Sequence, residues 1–226
     1  MTIVVSRWSK KYKTLCGLCD SVVKNSSSKK ETILKTAARL FSTQGFDATT
    51  TLQLACEAGV TEPLIYYYFS GKDELFTRLI ENIFAKYFVR IDELEQRTGS
   101  AFEQIRRLIE LQFDVIDEMP DEVHLIAGVC PARLNDPDGI CARGIREFQR
   151  RHKAYLMRCL AEGIAADDFV HLPVAETAEL LVASINGIIR YQVLNPGRSE
   201  AMRQTAVEFC RRSLMKDLKA ETISAA

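Results

Sequence analysis

The sequence predicts an all-helical protein. Apolar residues recur at three- and four-residue spacing along almost the whole chain, Gly and Pro punctuate these segments, and no stretch shows the alternation of a half-buried strand. The chain has 226 residues, 47% of them apolar and 27% charged. That is enough to bury a full core, and it is the composition of a folded rather than a disordered or collagen-like chain. About nine helices are expected by their apolar stripes, in a small N-terminal three-helix unit and a larger C-terminal one.

Taken in order, residues 1–27 read as a flexible basic arm without an apolar face, compatible with translation starting near Val22 or Val23. Ser28 with Glu31 is a capping box, followed by Ile33, Ala37, Leu40 and Phe41 at helical spacing and by a terminating Gly45. Thr50 with Gln53 opens a short helix that ends at Gly59. Thr61 caps the next, with Pro63 in its first turn, where a missing N–H costs little. Ser70 or Gly71 opens a long helix reaching about Arg97. Further stripes predict helices at 101–119, from Val123 to about Leu134, at 140–165 and at 173–194. The fourth of these closes at Asn195-Pro196-Gly197, and Met202, Ala206, Phe209 and Ser213 mark a last helix. The expected domains are 28–76 and 77–219, with 220–226 as a disordered tail.

Charge and cysteine usage narrow the class. Lys plus Arg and Asp plus Glu are both 30, so the net charge is +0. Within residues 1–75, ten basic residues face seven acids, an excess that permits nucleic-acid binding by this part without demanding it. No apolar run approaches the ~18 residues of a membrane span, so no membrane partner is expected. Seven scattered cysteines and a three-residue apolar run at the N-terminus point to free thiols in a reducing cytoplasm. Cys16 and Cys19 lack the further ligands that a zinc site needs. His124, His152 and His171 form no metal set, and no phosphate loop or catalytic triad is present. Neither an enzyme activity nor a metal or other cofactor is expected.

Function concentrates in TTLQLACEAGVTEPLIYYYFSGKDEL, residues 50–75. A short helix, a tight turn at Ala58–Thr61 and a second short helix make a helix-turn-helix. In that motif the first helix crosses a phosphate backbone and the second enters the major groove. Leu64, Tyr66, Tyr67 and Tyr68 surround the second helix, and only Ile65 and Phe69 are clearly inward. Some tyrosines must therefore face outward, where a phenol can bond a phosphate. Lys72 is a cation in the first turn of the long helix, which the helix dipole disfavours unless an anion is the third partner.

These residues resemble the DNA-binding domain of the TetR family of bacterial regulators. The shared pattern is Thr50-Thr51, Ala58-Gly59-Val60-Thr61, Tyr66, Phe69, Lys72 and Leu75, together with Ala37-Ala38, Leu40-Phe41 and Gly45-Phe46 in the first helix. The resemblance covers about residues 30–76 and implies that Thr50 lies in the DNA-binding set. It further implies that Thr51, Thr61, Tyr66, Tyr68 and Lys72 contact the DNA backbone, and that Glu62, Pro63, Leu64 and Tyr67 face the groove. The second helix lacks Arg and Lys, so base reading would rest on Glu62 accepting from cytosine, on thymine methyls and on DNA shape.

The resemblance also implies a ligand-responsive homodimeric regulator, a repressor, that binds a palindromic operator and is released by a small apolar or amphipathic effector. Phe113, Ile116, His152, Tyr155, Asn186 and Gln192 are the candidates for lining its cavity. Leu181, Ile185, Gly187, Ile188, Met202, Ala206 and Phe209 are the candidates for the dimer face. The alternatives are an all-helical adaptor that does not bind DNA and a helical enzyme with a fused DNA-binding domain. Because residues 1–27 have no face to bury, a chain starting near Lys24 should melt within a few degrees of the full chain. A larger drop in the thermal midpoint would show that the arm packs on the body.

Overall fold

A computed structural model describes residues 28–195, 197 and 199–216. They form nine α-helices and no strand beyond one isolated bridge: α1 (28–44), α2 (Thr51–Ala58), α3 (Glu62–Tyr68), α4 (Lys72–Glu95), α5 (Ala101–Glu118), α6 (Pro120–His124), α7 (Ile140–Ala165), α8 (Val174–Leu194) and α9 (Ser199–Leu214). The chain divides into two compact units at Phe76 and Thr77. The expected arm and tail lie outside the described residues.

In the first unit, α1 ends at Gly45, whose φ of +86° is a conformation that side-chain-bearing residues rarely adopt. The core gathers Ile33, Ala37, Leu54, Ile65 and Phe69 around three rings. Phe46 stands 5.3 Å from both Phe41 and Phe76, and Phe41 stands 5.9 Å from Phe76. Burying Ile65 and Phe69, each almost wholly excluded from solvent, stabilises the unit by about 1.5–3 kcal/mol per side chain.

In the second unit, α5 packs on α7 and α9, and α7 packs on α8. Ser100 caps α5 by accepting from the Glu103 amide at 3.2 Å. The buried core runs through Ile91, Ile105, Leu108, Leu156 and Leu160. Arg203 fastens α9 to α5 by donating to Asp114 at 2.6 Å while its guanidinium lies over the Phe113 ring. At the far end the Val170 amide donates to the Leu214 carbonyl at 2.9 Å, and the Lys216 amide to Asp168 at 3.0 Å, so the α7–α8 connection holds the end of α9.

Two expectations are corrected here. The helix predicted from Val123 to about Leu134 is composite: after α6 the chain widens into a π turn over Leu125–Val129 and tightens into a 3₁₀ turn over Cys130–Arg133. Pro131 has no N–H for the carbonyl one turn back, and its ring crowds that carbonyl, so a regular helix cannot continue. The free thiols expected throughout are not all free, because Cys130 and Cys141 form a disulfide. The fold brings the 3₁₀ turn beside the first turn of α7, with the two Cα atoms 5.4 Å apart, well within disulfide reach. Nothing in an eleven-residue spacing announces that approach. Cys56, Cys159 and Cys210 are free, and burial raises the latter two thiols to about 11.

Gly163 is one of two glycines at which α7 admits a neighbouring ring closely. A Cβ there would sit 2.3 Å from the buried Phe169 ring, whose amide bonds the Gly163 carbonyl. Gly163→Ala should therefore cost about 1–3 kcal/mol in denaturant unfolding, as overpacking does. An unchanged midpoint would show that the ring has room to retreat.

Candidate functional site

The surface of α2 and α3 is shaped from the turn outward. Thr50 caps α2 by accepting from the Gln53 amide at 3.1 Å. The reciprocal half of the predicted capping box is not made, since the Gln53 side chain bonds Gln44 at 2.7 Å and Glu57 at 3.2 Å instead. Gly59 turns with φ +64° and ψ +35°, which lets the Val60 amide reach the Ala55 carbonyl at 2.9 Å. Thr61 is the N-cap residue of α3 without a side-chain cap bond, and Pro63 follows in the first turn.

With Ile65 and Phe69 buried, α3 must present the rest of its circumference. Tyr67 is 78% exposed and Tyr66 52%, and Tyr68 is half-buried with its ring against Tyr67. Pro63 is exposed and Leu64 half-buried. The Thr51 hydroxyl donates to a Glu62 carboxylate oxygen at 2.6 Å and lies 3.4 Å from the Tyr66 hydroxyl. This contact joins the first turns of α2 and α3, and it occupies one of the two oxygens that could accept from a base. Arg39 of α1 pairs with Glu57 of α2, which with Gln53 holds that carboxyl below its ordinary range.

Lys72 has a role that the sequence did not show. Its ammonium donates to the Phe46 carbonyl at 2.9 Å and the Thr49 carbonyl at 3.0 Å, with the Asp47 carbonyl at 3.4 Å, and it sits 4.4 Å from the centre of the Phe46 ring. The cation thus closes the loop between α1 and α2. Thr49, wholly buried, fastens the same loop by donating to the Gly45 carbonyl at 2.8 Å. The only sequence signal was a cation in a dipole-disfavoured first turn, and the loop carbonyls are the neutral partners that satisfy it.

The second unit contains a small apolar cavity that is partly open to solvent. Ile83, Phe84 and Tyr87 of α4, Gln112 and Ile116 of α5, Ile126 of the π turn, Phe148 of α7 and Ile189 of α8 are among its walls. Of the six residues expected to line it, Ile116 does. Phe113 and Tyr155 are buried in the core, His152 is buried behind Tyr87, Gln192 is buried on α8, and Asn186 is half-buried. Gly144 was missed. It is buried on α7, and a Cβ there would meet the Phe84 ring at 2.1 Å, so its bareness lets Phe84 take its place in the wall.

Leu181, Ile185, Ile188, Met202, Ala206 and Phe209 line one groove formed mainly by α8 and α9. Phe209 of the groove is 70% exposed, and Leu180 of α8, which does not line it, is 66% exposed. Gly187 is exposed, and a Cβ added there would meet no other side chain within 4 Å among the described residues. Among the described residues, no three His, Cys, Asp or Glu side chains gather as a metal set, and no helix is long and apolar enough to cross a membrane.

Residues 33–79 match the family model described as bacterial regulatory proteins, tetR family. Over 132 residues the chain is 26% identical to the nucleoid occlusion factor SlmA of Pasteurella multocida, covering 57% of this chain and 65% of that protein. It is 29% identical over 98 residues to the transcriptional repressor NicS of Pseudomonas putida, covering 43% and 46%. The chain therefore spans less than two thirds of the length of these curated relatives. The structure of the ketosteroid transcriptional regulator KstR2 of Mycobacterium tuberculosis superimposes with a TM-score of 0.69 at 20% identity, covering 83% of this chain and 95% of that one, which shows a shared fold.

Lys72→Met should loosen the loop at 45–50 and lower stability by about 1.5–3 kcal/mol, the usual worth of bonds to a charged group. Denaturant unfolding measures this. A variant as stable as the parent would show that the loop holds without the ammonium.

Proposed function

Because this chain belongs, through residues 33–79, to the TetR family of bacterial regulatory proteins, we propose that it is a transcriptional repressor that binds a palindromic operator as a homodimer and leaves it when a small effector binds. The observation that carries the DNA-binding part is the outward face of α3. A helix pinned by Ile65 and Phe69 offers Tyr67 and Tyr66 to solvent, beside the first turn of α2. Thr51, Thr61, Tyr66, Tyr68 and Lys72 form the set that meets the DNA backbone, with Thr50 beside them and Glu62, Pro63, Leu64 and Tyr67 toward the groove. The Thr51–Glu62 bond leaves the second carboxylate oxygen of Glu62 to accept from a base, with thymine methyls and DNA shape sharing the reading.

The apolar groove of α8 and α9 supports the dimer. An open face with Phe209 and Leu180 exposed gains from burial against a second copy, in a two-fold interface that leaves room at the bare Gly187. The second-unit cavity supports the effector. Its lining is mostly apolar, the usual composition of a small-molecule site. Helix α4 contributes Lys72 at one end and Ile83, Phe84 and Tyr87 to the cavity, so a ligand favouring one placement of α4 would lower DNA affinity by its differential affinity and no more.

Fluorescence anisotropy on DNA selected by the full chain from a random pool tests the DNA reading. Tyr67→Ala should weaken binding at least about tenfold with little loss of stability, since the ring contacts solvent over most of its surface. Lys72→Ala should lower the slope of log affinity against log salt by roughly one unit. Affinity that falls with an unchanged slope would assign Lys72 to the loop alone. Light scattering after size exclusion tests the dimer: Ile188→Arg and Phe209→Arg should each give monomers, and a dimer that survives both would place the interface elsewhere.

A further inference from the structure

Tyr87 and Gln112 are the uncharged polar residues of the cavity wall, and their polar atoms are spent inside the protein. The Tyr87 hydroxyl donates to Gln112 Oε1 at 3.0 Å and lies 2.7 Å from Nε2 of His152, which is buried behind the wall. The Gln112 amide nitrogen donates to the Leu108 carbonyl at 2.9 Å, and His152 Nδ1 lies 2.7 Å from the Phe148 carbonyl. All three side chains thus meet protein partners, as buried polar groups must. Burial lowers the His152 pKa to about 4 and raises that of the Tyr87 phenol, so the cluster is uncharged near neutrality.

What Tyr87 offers the cavity is its ring. Phe148 packs against that ring at 5.3 Å between centroids, and the His152 imidazole stacks on it at 5.7 Å, so it is held from two sides. Arg90 and Glu122 are the charged residues of the lining; both are partly exposed, and Arg90 donates to Glu118 at 2.9 Å. The other walls are Ile, Val, Phe and Met side chains, and the surface turned to the cavity is almost wholly carbon. A ligand hydroxyl that left water for this wall would lose its hydrogen bonds without replacement. One group keeps the wall in that state. Without the Tyr87 hydroxyl, Gln112 Oε1 would be an acceptor lacking its donor, and Gln112 lies in the wall.

We propose that the Tyr87 hydroxyl sets the specificity of the cavity: it caps the acceptors of Gln112 and His152, and the carbon wall that results takes a small, neutral, hydrocarbon-like ligand and rejects its hydroxylated analogue. This rests on the reading of the cavity as a small-effector site, and it narrows the effector from apolar or amphipathic to apolar. Tyr87 meets the ligand through its ring and excludes a ligand donor through its hydroxyl.

The probes are p-xylene, p-cresol and p-fluorotoluene, three rings of nearly one shape of which only p-cresol donates a hydrogen bond. Their binding to the full chain is measured by calorimetry. The parent protein should bind p-xylene about tenfold or more tighter than p-cresol, because the hydroxyl finds no partner in the wall. Tyr87→Phe keeps the ring and removes the cap. Gln112 Oε1 is then open to a ligand donor, and p-cresol should gain about tenfold relative to p-xylene, while p-fluorotoluene keeps its ratio to p-xylene. Tyr87→Leu, which also lacks the hydroxyl, should shift the ratio the same way and serves if Tyr87→Phe does not fold. Ile116→Trp, which fills the cavity, should abolish binding of all three. Equal affinities for p-xylene and p-cresol in the parent, a ratio unmoved by loss of the hydroxyl, or an equal gain for p-fluorotoluene would overturn the specificity reading and leave the cavity reading standing. Failure of every probe to bind the parent, or binding untouched by Ile116→Trp, would overturn the cavity reading and the proposal with it.

Discussion

Helix α3 is seven residues long, too short to persist alone in water. It exists because Ile65 and Phe69 are held in the core of the first unit, and that single attachment decides what the rest of the helix can do. With Ile65 and the Phe69 that follows the helix turned inward, Tyr66 and Tyr67 are left at the surface. The neighbouring elements serve the same end. Gly59 supplies the left-handed turn that brings α3 against α2, the Thr51–Glu62 bond joins their first turns, and Lys72 with Thr49 closes the loop that leads into α2. The exposed face is thus preorganised by packing and by hydrogen bonds on every side except the one offered to a partner.

Much of this was legible in the sequence, for physical reasons that differ by element. The caps at Thr50 and Gly59 are local, so residue type alone discloses them. The inward pair of α3 follows from its spacing. The apolar face of α8 and α9 shows in the sequence because six apolar residues at helical spacing exceed what one side of a two-helix layer buries. What escaped was what depends on approach in space. The Cys130–Cys141 bridge, the ring of Phe84 over Gly144 and the turn of the Lys72 ammonium toward loop carbonyls all join residues whose nearness no periodicity encodes. The break at Pro131 could have been read, since a proline at the ninth residue of an expected helix removes a bond and crowds a carbonyl.

The cavity shows the same division. Large apolar residues on several helices announced a site, yet five of the six named side chains are not in its wall. Phe113 and Tyr155 were taken up by the core. His152, picked out for its polarity on an apolar stripe, lies one layer behind, bonded to Tyr87. Its place explains the polarity better than direct contact would: the imidazole, kept neutral by burial, bonds the Tyr87 hydroxyl within the core. Periodicity identifies the face a residue occupies and not the depth at which it ends.

The central claim, that the outward surface of α2 and α3 meets DNA, is tested most directly by hydrogen exchange of the full chain with and without a bound DNA duplex selected from a random pool. Slowed exchange should concentrate in peptides spanning residues 49–72, with the amides of the tyrosine run among the most affected. Tight DNA binding that leaves those peptides unchanged, and slows exchange in another part of the chain, would contradict the claim.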